Sequence, residues 1–339
     1  MKRTYRRLGA LLLALALCLS LSVPALAAEE KGLGAAAQEA AETALVYGGA
    51  DQISWAVWQD GEIVESGSLA APVAEGRPGR AVSGSVYGVG SVSKIYTAVA
   101  VMQLAEKGRL ELDAPVTRYL PDFKMADGRY RDITVRMLLN HSSGLMGSSM
   151  GSGVLFDDPS SQAADALLQR LSAQRLKADP GAYSVYCNDG FTLAELVVEA
   201  VSRVDFMDYV RSNILKPVGL EHTYAPGDGF EDRAAIYNGT DPRPLPKDCL
   251  GAVGTGGIYA TAEDLAAFGG ALTGTKLLKQ ASLDAMAAPE YARGIWPEED
   301  APDALSFGLG WDSVEWFPFH ENGITALVKG GDTQYYHAG

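Results

Sequence analysis

The segment from Ser91 to Lys107 constrains the fold most, because apolar residues surround the predicted helix on nearly every side. A surface helix carries one apolar stripe, whereas a helix that is apolar all round is buried. Gly108 follows directly and is typical of a residue that ends a helix. The segment therefore predicts a central helix with the rest of the domain packed around it. Its apolar positions include Val92, Ile95, Val99, Val101, Met102 and Leu104.

The elements around this helix predict an α+β fold. Residues 33–46 are Ala-rich and predict a helix. The apolar runs 53–58 and 62–67 are joined by an Asp-Gly dipeptide, which is typical of a β-hairpin. Residues 324–329 are β-branched and apolar, and predict a strand late in the chain. We therefore expect an antiparallel sheet that is built from both chain ends and flanked by helices.

The middle of the chain is richer in loops. Over residues 109–250 we expect a helical and loop-rich subdomain, with helices over 161–176 and 189–215. One short helix within it begins after Thr134, which is a favourable N-cap residue. Thr261 begins a further helix, because the sequence Thr-Ala-Glu-Asp is an N-terminal capping signature.

Residues 1–27 predict an export signal. Four basic residues precede an apolar core from Leu11 to Leu21, about eleven residues long and too short to span a bilayer. The sequence Ala25-Leu26-Ala27 is a small-x-small cleavage site. No later stretch reaches the roughly 18 apolar residues that a spanning helix needs. We therefore expect a secreted, extracytoplasmic domain of residues 28–339, with no stable membrane anchor after cleavage.

The charge of the chain disfavours nucleic acid as a partner. It carries 28 basic and 42 acidic residues, a formal net charge of −14. Cleavage of the signal removes four basic residues and no acidic ones, which leaves 24 and 42 and a net charge of −18. A surface of this sign repels a phosphate backbone. The sequence leaves the oligomeric state open.

The sequence predicts no cofactor and no metal. The run Gly251–Gly257 fits neither the GxGxxG nor the GxxxxGK pattern that binds nucleotide phosphates. The four histidines are scattered, and Cys187 and Cys249 form neither a CxxC motif nor a Cys/His cluster. Two cysteines in an exported protein can form a disulfide, but the sequence leaves their pairing open.

An S-x-x-K motif, Ser91 to Lys94, lies at the start of the central helix. The spacing places Lys94 one turn from Ser91 on the same helix face. Apolar surroundings lower the pKa of a lysine toward that of a general base, and a serine needs such a base to attack a carbonyl. From these residues alone, the alternative is an N-cap serine beside a lysine that extends to solvent.

Two later motifs are candidates for the same site. In the segment Tyr186–Asn188, a tyrosine near a lysine can shuttle protons and an amide can orient a substrate carbonyl. The alternative is a packed tyrosine beside a turn-forming asparagine. In the segment Lys329–Gly331, the lysine can bind an anionic group, and the small residues let a substrate lie along a strand edge. The alternative there is a strand-end lysine before a turn.

Taken together and in this order, the motifs resemble the serine β-lactamase and penicillin-binding protein superfamily, especially the class C β-lactamase-like branch of serine hydrolases. The resemblance covers the whole mature chain and implies a β-lactamase/transpeptidase-like fold. Residues 90–94, 186–188 and 329–331 match the first motif, the Y-x-N motif and the K-x-G motif. The other matching segments are 108–116, 119–121, 133–145, 217–220 and 256–264.

The resemblance implies a serine hydrolase that works through an acyl-enzyme on an amide or ester. Ser91 is then the nucleophile, Lys94 and Tyr186 share the role of general base, and Tyr186 returns the proton to the leaving group. The backbone N–H groups of Ser91 and Asp332 form the oxyanion hole. The substrate is a small molecule or peptide of the cell-wall D-Ala peptide, ester or β-lactam class, with peptidoglycan as one source.

The resemblance also implies substrate-binding roles. Asn188 holds the amide or ester side of the substrate, and Lys329 binds a carboxylate or tunes the tyrosine, with Gly330 and Gly331 along the substrate. Many true β-lactamases carry a hydroxyl residue where this chain has Gly330, and Asp332 places a negative charge next to the motif. Both departures weaken the case for β-lactam hydrolysis and leave the peptidase, esterase and amidase alternatives open.

Two other interpretations compete with this one. The segment Gly147–Gly151 is a G-x-S-x-G sequence, so an α/β-hydrolase with Ser149 as nucleophile and His141 or His337 as base is the enzyme alternative. That motif needs a strand before it and a helix after it, whereas here it lies in a Ser/Gly/Met-rich loop. The second alternative is a catalytically weak or inactive member of the same fold that binds or senses the cell wall.

The position of the K-x-G motif leads to one further expectation. Lys329 lies ten residues from Gly339, whereas the resemblance implies additional strands and a closing helix after this motif. We therefore expect a chain truncated at its C-terminus, with the Lys329 strand as an exposed sheet edge.

Overall fold

A computed structural model describes residues 32–48, 50–71, 84–149, 153–161, 163–229, 231–237, 241, 243–290, 306–315, 319 and 322–339. The predicted export signal, residues 1–27, lies outside the described residues. Among the described residues, no helix combines the length and the apolar character needed to cross a membrane.

Short helices and short strands make up most of the fold. In chain order they are α1 (Leu33–Gly48), β1 (Gln52–Gln59), β2 (Glu62–Ala70), β3 (Tyr87–Gly88), α2 (Ser93–Glu106), α3 (Val135–Leu139), β4 (Val154–Phe156), α4 (Leu167–Ser172), α5 (Asn188–Ser202), α6 (Phe206–Val210), α7 (Lys216–Val218), β5 (Thr223–Tyr224), β6 (Asp248–Leu250), α8 (Val253–Gly256), β7 (Tyr259–Ala260), α9 (Ala262–Ala271), α10 (Gln280–Ala287), β8 (Gly331–Asp332) and β9 (His337–Ala338).

The chain forms two compact units. The first comprises Met1–Val86, Asp232–Leu245 and Thr261–Gly270, and the second comprises Tyr87–Glu231, Pro246–Ala260 and Ala271–Gly339. The boundaries predicted for the helical and loop-rich subdomain, residues 109–250, stay a prediction.

In the first unit, α1 packs against the antiparallel pair of β1 and β2. The turn between the strands confirms the predicted hairpin, since Gln59 pairs with Glu62 and the residues between them are Asp60 and Gly61. Both turn residues have positive φ, 53° and 101°. A two-residue turn with this geometry matches the right-handed twist of the strands, which is why Asp-Gly is favoured there.

The second unit is built around α2, as the sequence predicts. Every residue from Ser93 to Leu104 is buried, and α5 and α8 pack against the helix. A 3₁₀ turn over Gly90–Val92 leads into it. Ser91 therefore lies in this turn, two residues before the first residue of α2.

The two long helices predicted in the middle of the chain are shorter than expected. Among the described residues of 161–176, only α4 is helical. Within 189–215, Arg203 adopts a left-handed φ of 69° and ends α5. The side chain of Asp205 then accepts hydrogen bonds from two backbone amides and so caps a separate helix, α6. The interruption therefore has two local causes, a left-handed residue and a new N-cap.

The described strands form four antiparallel sheets, which are β1-β2, β3-β7-β5, β4-β6 and β8-β9. The α+β class is confirmed, but the described strands of the two chain ends lie in separate sheets rather than in one. Over 324–329 the predicted strand is replaced by a single bridge from Val328 to Ser313. A strand needs a continuous row of paired residues, and here regular pairing begins only at β8.

Thr134 caps α3 as predicted, since its Oγ1 accepts a hydrogen bond of 3.3 Å from the Met137 amide. We expect Thr134→Ala to lower the free energy of unfolding by about 1 kcal/mol, because that amide loses its partner. The melting temperature should fall by about 2–4 °C, measured by circular dichroism. Thr134→Ser keeps the hydroxyl and is the control. Equal melting temperatures for all three proteins would contradict the capping role.

Candidate active site

Ser91 and Lys94 are in direct contact at the start of α2. Lys94 Nζ donates a hydrogen bond of 2.9 Å to Ser91 Oγ and one of 2.6 Å to the backbone oxygen of Thr255. Ser91 is half-buried, whereas Lys94 is 0% exposed. The structure thus brings the predicted pair together and places the amine where water does not reach it.

The surroundings of Lys94 favour the neutral amine. Burial lowers the pKa of Lys94 well below its usual value, and the positive charge of Lys329 lowers it further. Aromatic rings line the rest of the pocket, with the Tyr186 centroid 5.0 Å and the Phe191 centroid 5.6 Å from Nζ. A neutral amine at hydrogen-bond distance from a hydroxyl can accept its proton.

Tyr186 lies between the two lysines of the site. Its ring is 5.0 Å from Lys94 Nζ and 5.2 Å from Lys329 Nζ, and 36% of its surface is exposed. Desolvation and the charge of Asp312 raise the pKa of Tyr186, partly opposed by a hydrogen bond with Ser91. The phenol therefore keeps its proton near neutral pH and can donate it.

His141 supports the ring of Tyr186 from one side. The two rings stack with centroids 4.4 Å apart and an angle of 28° between their planes. The imidazole Nδ1 accepts a hydrogen bond of 3.0 Å from the Cys187 amide. Burial lowers the pKa of His141 well below its usual value, and the positive charge of Lys329 acts in the same direction, so the ring stays neutral. His141 is thus part of the Tyr186 environment.

Lys329 is held by Asp312, a residue that the sequence analysis missed. Lys329 Nζ donates to both carboxylate oxygens, at 2.7 and 2.8 Å, and to Tyr186 Oη at 3.4 Å. The Gly330 amide also donates to Asp312, at 3.2 Å. Asp312 is 17 residues away in sequence, and no local pattern marks it, so only the fold reveals the pair.

Asn188 begins α5, and its side chain contacts Ser148. Its Nδ2 donates a hydrogen bond of 2.7 Å to Ser148 Oγ, and its backbone oxygen accepts one of 3.0 Å from Thr255 Oγ1. Among the hydrogen bonds of the described residues, the Asn188 amide thus meets Ser148 and neither Ser91 nor Lys94. Its predicted role toward a substrate stays a prediction.

Strand β8 lies directly against the turn that carries Ser91. A Cβ added to Gly331 would lie 2.6 Å from the Ser91 amide nitrogen and would also collide with the Val89 oxygen. A Cβ added to Gly90 would lie 2.5 Å from the Asp332 amide nitrogen. Glycine at both positions lets the two backbones touch. The backbone segments that carry the amides of Ser91 and Asp332 therefore lie against each other, and the oxyanion hole that these amides would form stays a prediction.

The side chain of Asp332 forms an ion pair with His337, whose Nδ1 lies 2.6 Å from Oδ1. The hydrogen bond to His337 lowers the pKa of the Asp332 carboxyl and raises the pKa of the imidazole. Both side chains are mostly exposed, at 78% and 61%. The negative charge expected next to the K-x-G motif is therefore partnered by a histidine at the surface.

The Thr255 oxygen that accepts the hydrogen bond from Lys94 lies in a turn. Two buried residues hold this turn in place, one from α2 and one from α5. Glu195 is 4% exposed, and its Oε2 accepts a hydrogen bond of 2.9 Å from the Gly254 amide. Thr97 Oγ1 donates one of 2.6 Å to the Gly254 oxygen. The sequence analysis missed Glu195. The one sequence feature that points to this region is the glycine run 251–257. Its backbone can pack closely only against a buried partner from elsewhere in the chain.

The competing nucleophile Ser149 lies in an irregular segment. Its Oγ accepts a hydrogen bond of 2.6 Å from Gln174, and its amide donates one of 2.7 Å to Asp189. No strand leads into it among the described residues, and residues 150–152 lie outside them. The strand-to-turn context of a nucleophile elbow is therefore not formed on its N-terminal side.

Cys187 and Cys249 are both buried and are not bonded to each other, so the disulfide that the sequence left open is not formed between them. Burial raises the pKa of Cys187 to about 11. No group of His, Cys, Asp and Glu suited to holding a metal ion occurs in the described part of the chain.

The comparisons with known proteins agree with this geometry. The beta-lactamase family profile matches residues 38–339, and the chain belongs to the beta-lactamase family. Members of this family are serine hydrolases. The resemblance inferred from the motifs and the β-lactamase/transpeptidase-like fold are both confirmed.

Among curated relatives, the chain is similar to penicillin-binding protein 4 of Amycolatopsis lactamdurans. They are 32% identical over 278 residues, which cover 77% of this chain and 70% of the relative. Penicillin-binding protein 4* of Bacillus subtilis is 25% identical over 71% of this chain, which spans 54% of that relative. The chain thus spans only part of the length of these proteins.

Solved structures show the same fold. The octameric penicillin-binding protein homologue from Pyrococcus abyssi superposes with a TM-score of 0.70 at 24% identity, over 88% of this chain and 68% of that one. A D-stereospecific amidohydrolase from a Streptomyces species gives a TM-score of 0.58 at 25% identity, over 83% and 82%.

Gly331 begins β8 and Gly330 directly precedes it. Substituting each in turn gives a matched test of the contact between β8 and Ser91. We expect Gly331→Ala to lower the free energy of unfolding by about 1–3 kcal/mol, because its methyl group must displace Val89 or Ser91. Gly330→Ala is the control, since its Cβ would meet only the Ala338 oxygen, at 3.9 Å. Thermal melts that show equal losses for the two variants would contradict the close approach.

Proposed function

We propose that this protein is a serine hydrolase that cleaves an amide or ester through an acyl-enzyme on Ser91. The observation that carries the proposal is the 2.9 Å contact between Ser91 Oγ and the wholly buried amine of Lys94. A serine hydroxyl is a weak nucleophile until a base removes its proton. A lysine that burial keeps neutral is such a base, and it lies within reach.

Acylation follows from these positions. Neutral Lys94 accepts the hydroxyl proton as Ser91 Oγ forms a bond to the substrate carbonyl carbon. The tetrahedral oxyanion binds the amides of Ser91 and Asp332. The bond to the leaving group then breaks, Tyr186 gives its proton to the leaving nitrogen or oxygen, and Lys94 returns a proton to Tyr186. Lys94 is neutral again at the end of the step.

Deacylation uses the same groups in reverse. Lys94 and Tyr186 take a proton from water, whose oxygen attacks the acyl carbon. The carboxylic acid leaves, and the proton returns to Ser91 Oγ. The two groups have different roles because their pKa values are shifted in opposite directions. The lowered pKa of Lys94 makes the lysine the base, and the raised pKa of Tyr186 makes the phenol the proton carrier.

The relatives support a substrate built on D-amino acids. Two are named as penicillin-binding proteins, and a structural neighbour is named as a D-stereospecific amidohydrolase. An amide or ester of a D-amino acid, or a peptide derived from peptidoglycan, is the substrate class that fits them. The export signal predicted for residues 1–27 supports action in the cell envelope.

Labelling of Ser91 tests the proposal. A fluorophosphonate should modify Ser91, as located by peptide mass spectrometry, because the activated oxygen attacks phosphorus as it attacks a carbonyl. Ser91→Ala should lose the label and at least about a thousandfold in ester hydrolysis. Ser149→Ala is the matched control and should keep both. A label on Ser149, or one that survives Ser91→Ala, would overturn the assignment.

Glu195 should act as a positioning residue for Lys94. Glu195→Ala removes the acceptor of the Gly254 amide and frees the turn that holds the Thr255 oxygen. An unpaired buried donor costs about 1–3 kcal/mol, so we expect kcat/KM to fall about tenfold. Glu195→Gln keeps an acceptor oxygen and should retain most activity.

The pH profile separates this role from a general loss of stability. Lys94 must be deprotonated to act, so kcat/KM should rise with pH through the lowered pKa of Lys94. The Thr255 oxygen stabilises the charged ammonium, and its displacement in Glu195→Ala should move this rising limb to lower pH. An unchanged limb with reduced activity would show that Glu195 contributes only to stability.

A further inference from the structure

The ammonium group of Lys329 has no donor left for a substrate. A lysine ammonium carries three N–H donors, and three acceptors surround this one. They are Oδ1 and Oδ2 of Asp312, at 2.7 and 2.8 Å, and Tyr186 Oη at 3.4 Å. The Lys329 side chain is 2% exposed. A carboxylate from a substrate could reach Nζ only by displacing one of these partners.

Asp312 is itself held in place from two sides. Its backbone amide donates a hydrogen bond of 2.9 Å to the Val328 oxygen, and its Oδ2 accepts one of 3.2 Å from the Gly330 amide. Asp312 is therefore hydrogen-bonded to the residues on both sides of Lys329, through its backbone amide to Val328 and through its carboxylate to Gly330. Removing one partner from a buried pair leaves an uncompensated charge, which strongly disfavours opening it.

The net charge that a substrate meets beside Lys329 is therefore small. The single positive charge of Lys329 is balanced by the single negative charge of Asp312 at direct contact. The next charged group along the strand is the carboxylate of Asp332, which pairs with His337. A carboxylate brought to the K-x-G segment would meet the carboxylates of Asp312 and Asp332, each paired with its own partner, rather than a free cation.

From this geometry we propose that Asp312 determines substrate specificity: the site acts on amides and esters whose leaving group carries no carboxylate, and it selects against leaving groups that carry one. This inference rests on the proposed function and narrows its substrate class. It assigns Lys329 to the positioning of Tyr186, and removes the role in carboxylate binding that the motif alone implies.

A matched pair of thioesters tests the inference. N-benzoyl-D-alanyl thioglycolate carries a carboxylate on its leaving group, whereas in its methyl ester a methyl group masks that charge; release of the thiol measures thioester cleavage in both. The wild-type protein should show a kcat/KM at least tenfold higher for the methyl ester. Asp312→Asn frees one donor of Lys329 and leaves its charge unbalanced, so the preference should shift at least tenfold toward the carboxylate.

The control is Asp208→Asn, which changes the net charge equally. The Asp208 carboxylate pairs with Arg211 and is 64% exposed, so this variant should keep the wild-type preference. Thermal melts establish that each variant is folded. If Asp312→Asn does not fold, the wild-type ratio still decides, because a preference for the carboxylate thioester overturns the inference by itself.

The remaining outcomes separate this inference from the proposed function. p-Nitrophenyl acetate, a neutral ester without a D-amino acid, reports on the hydrolase itself. Hydrolysis of this ester together with a wild-type preference for the carboxylate thioester, or with no shift in Asp312→Asn, overturns the role of Asp312 and leaves the hydrolase standing. No Ser91-dependent turnover of any of the three esters overturns both.

Discussion

The burial of the Lys94 amine is the constraint on which the rest of the site depends. An ammonium group in an apolar interior is costly, and lysine relieves that cost most readily by losing its proton. The apolar character of α2 on all sides thus has a chemical consequence, since a helix exposed on one face would leave the amine solvated and charged. The same packing that stabilises the second unit produces the base that Ser91 needs.

A second buried lysine, Lys329, further favours the neutral form of Lys94. Lys329 is 6% exposed, and its charge disfavours a second charge on Lys94. Asp312 allows Lys329 to stay charged, because it balances the ammonium at contact distance. The site thus contains two lysines with opposite tasks, one kept neutral by burial and one kept charged by a carboxylate. Tyr186 lies between them and has access to both.

The candidate catalytic motifs could be predicted from the sequence because each is local. The spacing of Ser91 and Lys94 is a helical turn, and the Asp-Gly hairpin and the Thr134 cap are patterns of neighbouring residues. Asp312, Glu195 and the stacking of His141 on Tyr186 were missed because each contact joins segments that only the tertiary fold brings together. The strand expected over 324–329 failed for the same reason, since strand formation depends on a partner far away in sequence.

The neutral ring of His141 adds no further charge to the site. Its Nδ1 accepts a hydrogen bond from the Cys187 amide, so in the neutral ring the hydrogen lies on Nε2. A protonated ring here would add another cation beside the charged Lys329 and against the face of Tyr186. Burial prevents this by lowering the pKa of His141. Since the backbone amide that fixes the imidazole belongs to the residue after Tyr186, one hydrogen bond sets both the tautomer of the neutral His141 ring and its alignment with the phenol. The Tyr186 ring is therefore positioned by an uncharged partner, and its proton can move between Lys94 and a leaving group without a competing base on that side.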